Sequence, residues 1–540
     1  MKAVSALTMQ DIDRQTITGC GISGLELMEQ AGTRCVEAIT ARFGADFHGD
    51  MLVMAGKGNN GGDGFVIARL MLELGWRVTV CLLADRSETR GDALVNLTRL
   101  PEEWVICCRS EHELHQTVDE RLCQADLIVD AIFGTGLNTT VSGVQACAIA
   151  LINAAGRPVL AVDIPSGVDA TSGGILGSAI RADMTVTFAC PKLGHVFYPG
   201  AELAGRLTVA DIGIPARIVE QTEGCECLDR TSILPLLKRR DRLSHKGRHG
   251  HCLIVAGSPG KTGAAALCAN SAVRAGAGLV SLAVPQSLNS ILEIKTTEAM
   301  TIPLADDGLG HITANAASQI ESAMGNKQAL AIGPGIGRHP ETTALARRLM
   351  VTADMPMVID ADGLNALAVD PALLLHTRSG CVILTPHPGE MARLTGEITP
   401  GEGPERIAMA KHFAVRYGVY LILKGARTIV AAPDGKLAIN TSGNPGMAAG
   451  GMGDVLTGII TALCGQGYSA WDAVRLGVFI HGFSADLVAG EKGEIGITAT
   501  DVIEKLPYAF KKLGTGMGEQ ETEQSFGFTD PASRVPSTGF

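Results

Sequence analysis

The sequence predicts an α/β fold in two domains, each built around its own largely parallel sheet. Short continuous apolar runs alternate with longer amphipathic stretches along almost the whole chain, as expected for strands buried on both faces of a parallel sheet. Glycine is abundant (66 of 540 residues) and aromatic residues are scarce (4%), which suits the tight strand-to-helix loops of α/β enzymes. The chain is 46% hydrophobic and 19% charged, enough apolar material for large cores, and at roughly 100–200 residues per domain it has room for two to four.

In chain order, the first half offers strands at MLVMAG (51–56), VTVCLL (78–83), DLIVDAIF (126–133), PVLAVDIP (158–165), MTVTFA (184–189) and RLTVADIG (206–213). Between them lie helical patterns. One is GLELMEQAGTRCVEAITARFG, with Leu25, Met28, Val36 and Ile39 on one face and Gly44 as its stop. The second half repeats the style with CLIVAG (252–257), LVSLAV (279–284), ALAIG (329–333), PMVIDA (356–361), CVILTP (381–386), VYLILKG (419–425) and TIVAA (428–432). The polar, then basic stretch over 220–245 carries no strand signal before Cys252. The expected domains are therefore 1–225 and 226–513, followed by a polar, aperiodic tail over 514–540 that reads as disordered.

The net charge of −11 argues against a general nucleic-acid binder, which needs a basic face. No window holds eighteen uninterrupted apolar residues, so no membrane span is expected. The N-terminus, MKAVSALTMQDIDRQ, has no apolar core and does not read as a secretory signal. The fourteen cysteines form no Cys-x-x-Cys pair and mostly sit in apolar runs, which points to buried free thiols in a reducing cytoplasm. Cys225 and Cys227 stand in a polar stretch and read as linker rather than as a metal pair.

Chemistry-bearing motifs gather at predicted strand ends, where open parallel sheets bind their ligands. KGNNGGDG places Gly58, Gly61, Gly62 and Gly64 between a strand and a helix, with Asn59, Asn60 and Asp63 among them. Such a turn either cradles an anion at a helix N-terminus or simply makes a tight connection. Asp130 falls inside a strand that should be buried, so its carboxylate needs a partner or a metal. The run after it, GTGLNTTVSG, lacks the third glycine of a dinucleotide fingerprint. The next strand ends in Asp163, Pro165, Ser166 and Gly167.

These motifs, KGNNGGDG, VDAIFGTGL and VDIPSGVDA, following an LMEQAG helix, resemble the epimerase domain of the NAD(P)H-hydrate repair enzymes over about residues 1–220. The resemblance implies a Rossmann-like three-layer α/β/α fold and epimerisation of hydrated NADH or NADPH at the ring carbon bearing the hydroxyl. It places the hydrated dinucleotide on Asn59, Asn60, Gly61, Gly62 and Asp63 and on Gly134, Thr135, Gly136, Leu137, Asn138, Thr139 and Thr140. It assigns a potassium ion to Asn60, Asp130 and Ser166, and makes Asp163 a substrate contact and the candidate base. Asn138 stands where the family often has a basic residue.

In the second half, VAGSPGKT fails as a Walker loop because Val255 replaces its first glycine. IGPGIGR places Gly333, Gly335 and Gly337 after a strand, suited to close approach of a phosphate or ribose. Asp360 and Asp362 at another strand end suit magnesium held through water or the cap of a helix. His387 lies between two prolines as a ligand contact or a turn residue. Lys424 and Gly425 sit in a hairpin-like turn, as an anion contact or a solvated charge. His245, His249 and His251 lack the acid or cysteine that would complete a zinc site. The sharpest local signal is NPGMAAGGMGDVLTGIITALCGQG: Gly446, Gly450, Gly451 and Gly453 lead into an apolar helix with Asp454 in its first turn. Backbone N–H groups there form an anion hole, and an Asp so placed can take a proton from a substrate hydroxyl during phosphoryl transfer.

The set HKGRHGH…VAGS, TPHPGE, LKGARTIV and GGMGDVLTG resembles the NAD(P)HX dehydratase branch of the ribokinase-like superfamily over about 235–510. That resemblance implies contacts from Ala264, Gly335, His387 and Asp454 to the hydrated dinucleotide. It puts the adenine nucleotide on Lys424, Gly425, Ala426, Arg427, Thr428 and Gly453, with magnesium accompanying ADP. Met452 replaces the commoner threonine but keeps the backbone N–H. The whole chain thus resembles the bifunctional NAD(P)H-hydrate repair enzymes of bacterial type. In these, one domain interconverts the R and S hydrates and the other dehydrates the S form at the expense of ADP, giving AMP and phosphate. A homo-oligomer is expected from the family alone. The rival expectation is a vitamin or sugar kinase fused to a non-catalytic nucleotide-binding module.

Overall fold

A computed structural model describes residues 1–515, so the expected disordered tail lies, but for its first two residues, outside the described residues. The chain divides into two compact units, with Met1–Gly224 in the first and Cys225 opening the second.

The first unit carries seven parallel strands: β1 (Asp50–Ala55), β2 (Arg77–Leu82), β3 (Val105–Cys107), β4 (Leu127–Ala131), β5 (Val159–Val162), β6 (Met184–Phe188) and β7 (Arg206–Ala210). Their order is β3-β2-β1-β4-β5-β6-β7. Alternate residues of β1 serve opposite cores. Met51, Val53 and Ala55 pack with α1 (Ala6–Cys20), α2 (Gly24–Phe43) and α3 (Asn59–Glu73). Leu52 and Met54 pack with α5 (Glu111–Gln124) and α6 (Gly143–Ala155), while α4 (Gly91–Thr98) joins the first face through Leu97. This is the expected three-layer α/β/α arrangement. Ser23 caps α2 reciprocally with Glu26, and Gly44 follows its end. The chain leaves β1 to one side and returns at β4 on the other, which makes the C-terminal ends of β1 and β4 the topological switch point.

The second unit contains β8 (Cys225–Leu228), β9 (His251–Val255), β10 (Leu279–Pro285), β11 (Met300–Leu304), β12 (Ala329–Ile332), β13 (Met357–Ile359), β14 (Val382–Leu384), β15 (Tyr420–Leu423), β16 (Ile429–Ala431) and β17 (Leu437–Asn440). They run in the order β8-β17-β16-β15-β14-β13-β12-β9-β10-β11. All neighbours are parallel except that β16 is antiparallel to both β15 and β17. One face is covered by α7 (Thr262–Arg274), α11 (Met452–Gly465), α12 (Ala470–Lys492) and α13 (Ala499–Gly514). On the other, α8 (Pro340–Thr352) buries Leu345, Ala346 and Leu349 with Val255 and Ile332. The remaining short helices that matter for the site are α9 (Asp362–Leu367) and α10 (Pro388–Thr395). The switch point here lies between β9 and β12.

Five strands escape the sequence reading, the two-residue Lys2–Ala3 among them. Val105–Cys107 and Met300–Leu304 end their sheets and are only partly buried, so neither has a continuous apolar run. Cys225–Leu228 and Leu437–Asn440 are four-residue strands that pair with each other. Cys225 and Cys227 therefore belong to the sheet, buried at 3% and 0% exposure, and not to a linker. Helix α12 is long and apolar enough by composition to cross a membrane, yet Leu476, Phe479, Ile480 and Ala485 pack into the core.

Candidate active sites

In the first unit, α3 begins directly after β1, with Gly58 as its N-cap. The glycines of that turn are needed for packing of the chain itself. A Cβ on Gly61 would lie 1.9 Å from the Gly56 carbonyl oxygen, one on Gly56 2.1 Å from that of Ile132, and one on Gly64 2.6 Å from the Ala131 side chain. They bring the first turn of α3, with Asn59 to Asp63, hard against the ends of β1 and β4. Only the space beside Gly58 is open. The Asn60 side chain packs on Gly134, and its buried amide nitrogen has no hydrogen-bond partner. From Gly134 the loop runs outward, leaving Asn138, Thr139 and Thr140 exposed.

Asp130 is fully buried at the end of β4 and is held by Ser166. The Ser166 hydroxyl donates to Oδ1 at 2.5 Å and its backbone N–H to Oδ2 at 2.8 Å. Burial pushes the Asp130 carboxyl up to about 6, against those hydrogen bonds. The Phe133 N–H donates to the Ser166 hydroxyl at 2.9 Å, tying the two loops together.

Asp163 leaves β5 with φ +66°, a left-handed conformation uncommon outside glycine. Its Oδ1 accepts from Lys192 Nζ at 2.6 Å and from the Thr187 hydroxyl at 3.0 Å. Lys192, 1% exposed, also donates to the Thr187 hydroxyl at 2.8 Å. Burial would raise the Asp163 carboxyl, but the Lys192 ammonium beside it holds it below the ordinary carboxylate value. The neighbouring acids behave oppositely. Burial and the Asp163 charge push Asp63 well up, and burial carries Asp13 of α1 to about 6. One ionised aspartate and one lysine thus lie beside acids that hold their protons more tightly than free carboxyls do. Beside them His195 is buried and neutral: burial and Lys192 push it down to about 3. Lys192 was not singled out from sequence, although PKLGH follows a predicted strand and the strand-end logic applied to Asp163 reaches it equally.

In the second unit, the loop after β9 and the loop after β12 meet at the switch point. A Cβ on Gly335, at φ +64°, would approach the Ala264 Cβ to 3.1 Å and the Lys261 carbonyl oxygen to 2.8 Å. The Ser258 hydroxyl donates to the Gly335 carbonyl at 2.7 Å. Asp362 is the first residue of α9, capped by Ala361 at φ +50°, so neither predicted aspartate is the helix cap. Asp362 accepts from Lys261 Nζ at 2.8 Å and the Gly337 N–H at 3.0 Å.

Asp360, 1% exposed, accepts from Lys424 Nζ at 3.1 Å through Oδ1 and from the Thr457 hydroxyl at 2.7 Å through Oδ2. His387 caps α10. Its half-exposed ring accepts from the Gly389 N–H at 3.0 Å, while its backbone N–H donates to Glu390 at 2.9 Å. Lys424 lies 3.8 Å from Glu390 as well. Burial works against its charge, but Asp360 and Glu390 hold its ammonium above the ordinary lysine value. The turn from Lys424 to Thr428 is pinned by Arg406, which donates to the Lys424 carbonyl at 2.6 Å, and by Arg427, which donates to the Thr441 carbonyl at 2.8 Å.

Above this cluster α11 starts from Gly451 at φ +90°, where a Cβ would strike Leu267 at 2.5 Å. Gly450 faces open space. A Cβ on Gly453 would lie 3.2 Å from Lys424 Nζ, so the ammonium sits directly beneath the first turn. Asp454 rises from that turn. Burial, then the Asp360 charge, push its carboxyl up to about 7, with Lys424 opposing. Asp454, Glu390, Lys424 and Asp360 come from four different elements, so only the fold unites them.

Two sites at the C-terminal ends of parallel strands, each with a strand-end aspartate paired to a lysine and a glycine-rich helix start, define a two-domain nucleotide-handling α/β enzyme class. The NAD(P)H-hydrate dehydratase family model matches residues 252–508, and that of the YjeF-related protein N-terminus matches residues 24–194. The protein named bifunctional NAD(P)H-hydrate repair enzyme Nnr from Moorella thermoacetica is 44% identical, covering 97% of this chain and 98% of that protein. Its namesake from Escherichia coli is 36% identical, covering 95% of each. A solved structure of the ADP/ATP-dependent NAD(P)H-hydrate dehydratase from Bacillus subtilis is 30% identical, covering 54% of this chain and 99% of that one, with a TM-score of 0.46. The chain belongs to the family of bifunctional NAD(P)H-hydrate repair enzymes.

Proposed function

We propose that the first unit interconverts the R and S hydrates of NADH and NADPH and that the second dehydrates the S form at the expense of ADP. The observation that carries this reading is the similarity to the repair enzymes across the full chain, both units included. The two sites supply the chemistry.

In the second unit Asp454 is the base. It takes the proton of the ring hydroxyl, whose oxygen attacks the β-phosphorus of ADP, breaking the bond to the α-phosphate and releasing AMP. Magnesium enters with the nucleotide, and the N–H groups from Gly450 to Gly453 receive the transferring charge. Phosphate leaves far more readily than hydroxide. The ring nitrogen's electron pair expels it, and loss of a proton from the adjacent carbon restores the dihydronicotinamide. Ala264, Gly335 and His387 line the hydrated dinucleotide, and the Lys424–Thr428 turn with Gly453 carries the adenine nucleotide.

In the first unit Asp163, kept ionised by Lys192, is the base for loss and return of the hydroxyl on the opposite face of the ring. Residues 59–63 and 134–140 hold the dinucleotide across the switch point. Asn60, Asp130 and Ser166 suit a potassium ion by their donor chemistry: Ser166 and Asp130 already meet, and Asn60 packs on Gly134 of the loop that follows β4. The unpartnered buried amide of Asn60 presents its oxygen if the group is turned over. A potassium ion would supply fixed positive charge, and these three residues would hold the Gly134 and Ser166 loops in register. Fourteen free thiols suit a reducing, cytoplasmic setting.

The test supplies separated R and S hydrates of NADH with magnesium and either ADP or ATP, and follows recovery of dihydronicotinamide absorbance and formation of AMP. Fast recovery from both epimers with ADP is expected, with R turnover slowed when sodium replaces potassium. A stable phosphorylated alcohol in place of AMP-linked recovery would overturn the reading.

A further inference from the structure

We propose that Lys424 is a positioning residue of the dehydration step: its ammonium, seated beneath Gly453 and clamped by Asp360, Glu390 and, through Asp360, Thr457, fixes the charge around Asp454 instead of binding a nucleotide phosphate. This rests on the reading of Asp454 as the base.

Three observations carry it. The Nζ atom points inward: it lies 3.1 Å from Asp360 Oδ1 and 3.8 Å from Glu390 Oε2, and would be 3.2 Å from a Cβ on Gly453. The side chain is 22% exposed, while Asp360 and Glu390 are 1% and 7% exposed, so the pairing is enclosed. Asp360 is in turn fixed from α11 itself, three residues beyond Asp454, by the Thr457 hydroxyl at 2.7 Å. One helix thus carries both the base and the hydroxyl that anchors its electrostatic partner.

The charges that act on Asp454 are those of Asp360 and Asp362 from the end of β13 and the start of α9 and of Glu390 on α10, which raise it, and of Lys424 after β15, which lowers it. Cys268 of α7 is raised by burial and by the Asp454 charge, and burial and the Lys424 charge push His481 of α12 down to about 4, so it is neutral above that. Carboxylates outnumber the ammonium groups. Removing Lys424 leaves Asp454 among like charges and makes it harder to ionise; removing the Asp360 charge does the reverse.

The experiment measures kcat and KM for ADP and for the S hydrate from pH 5.5 to 9.5 in wild type and in Lys424→Met, Thr457→Val and Asp360→Asn. With Lys424→Met the acid limb of kcat moves up by a pH unit or more. That is about a tenfold loss at pH 6.5 which recovers by pH 9, with KM for ADP within about twofold. Thr457→Val moves the limb up by less, and Asp360→Asn moves it down. If Lys424→Met does not fold, the opposite displacements in the other two variants decide the matter. Limbs that coincide with wild type while rates fall uniformly overturn the inference, as does a tenfold rise in KM for ADP with an unmoved limb. Wild type lacking any limb near pH 7, or Asp454→Asn retaining dehydration, overturns the reading of Asp454 itself.

Discussion

Both units bury a lysine beside a strand-end aspartate, but they use the pair differently. In the first, Lys192 binds Asp163 directly at 2.6 Å and holds that carboxylate ionised, while Asp63 and Asp13 beside it are pushed up. In the second, Lys424 binds Asp360 instead, and Asp454 on α11, only partly offset by that ammonium, rises to about 7. The same ingredients give a permanently charged base in one site and a base poised near neutrality in the other. The lysine's placement, not its presence, sets the chemistry.

The largest expected effect separates the sites outright. Asp454→Asn should lower dehydration of the S hydrate by roughly 10²–10⁴-fold, the range for a lost general base, while chromatography of the R and S forms shows epimerisation unchanged. Loss of both activities in folded protein would break the two-site assignment. Asp163→Asn should do the converse, reducing R-hydrate turnover to the spontaneous rate and sparing the S form. It also leaves the Lys192 ammonium buried without its partner, a loss of about 3–5 kcal/mol for a broken buried pair. Calorimetry should therefore show a lower Tm for the variant. An unchanged Tm would mean that Lys192 finds another partner or gives up its proton.

The pH dependence sharpens the contrast. Asp454 at about 7 must lose its proton to act, so dehydration should rise roughly tenfold per pH unit below pH 7 and level off above it. Asp163 lies below the ordinary carboxylate value, so it gives epimerisation no limb near pH 7; any limb from Asp13 or Asp130, raised to about 6, falls below that of dehydration. Initial rates of the two reactions on the same protein at each pH provide the check. A shared limb near pH 7 would mean that one group controls both.

How far this contrast was legible in the sequence follows from what each residue's role depends on. Parallel strands were readable because both faces are buried and the apolar runs are continuous, as in β1, β4 and β12. The partly exposed β3 and β11 were not, nor were β8, interrupted by Glu226, and β17, bounded by Lys436 and ending in Asn440, since none of them leaves a continuous apolar run. Asp163 and Asp454 stood out because each sits in a local motif at a strand or helix end. Lys192, Thr457 and Glu390 did not, because their roles arise from contacts across the fold: Lys192 meets an aspartate 29 residues away, and Thr457 one 97 residues away. The glycines of residues 56–64 carry a signal that is local but open to two readings. In the sequence they offered an anion cradle or a tight connection, and the packing shows that they let α3 close against β1 and β4.

The smallest effect concerns stability and has opposite sign in the two sites. Asp454 has its carboxyl raised from 3.8 to about 7 on folding, so the folded chain holds that proton more tightly than the unfolded one. Below pH 4 the group costs nothing. From pH 4 to 7 the unfolded chain loses the proton first, and stability falls with each step; above pH 7 the full cost is present. Asp454→Asn removes it, so Tm should rise by several degrees at pH 8 and hardly change at pH 4. Asp163→Asn should lower Tm at pH 8, because a depressed carboxyl contributes its stability above the unfolded value and loses it as pH falls through the folded one. Calorimetric scans of both variants at the two pH values give four signs. A Tm for Asp454→Asn that falls at pH 8 would show that its carboxylate is paired in the folded protein, and the contrast between a neutralised and a poised aspartate would collapse.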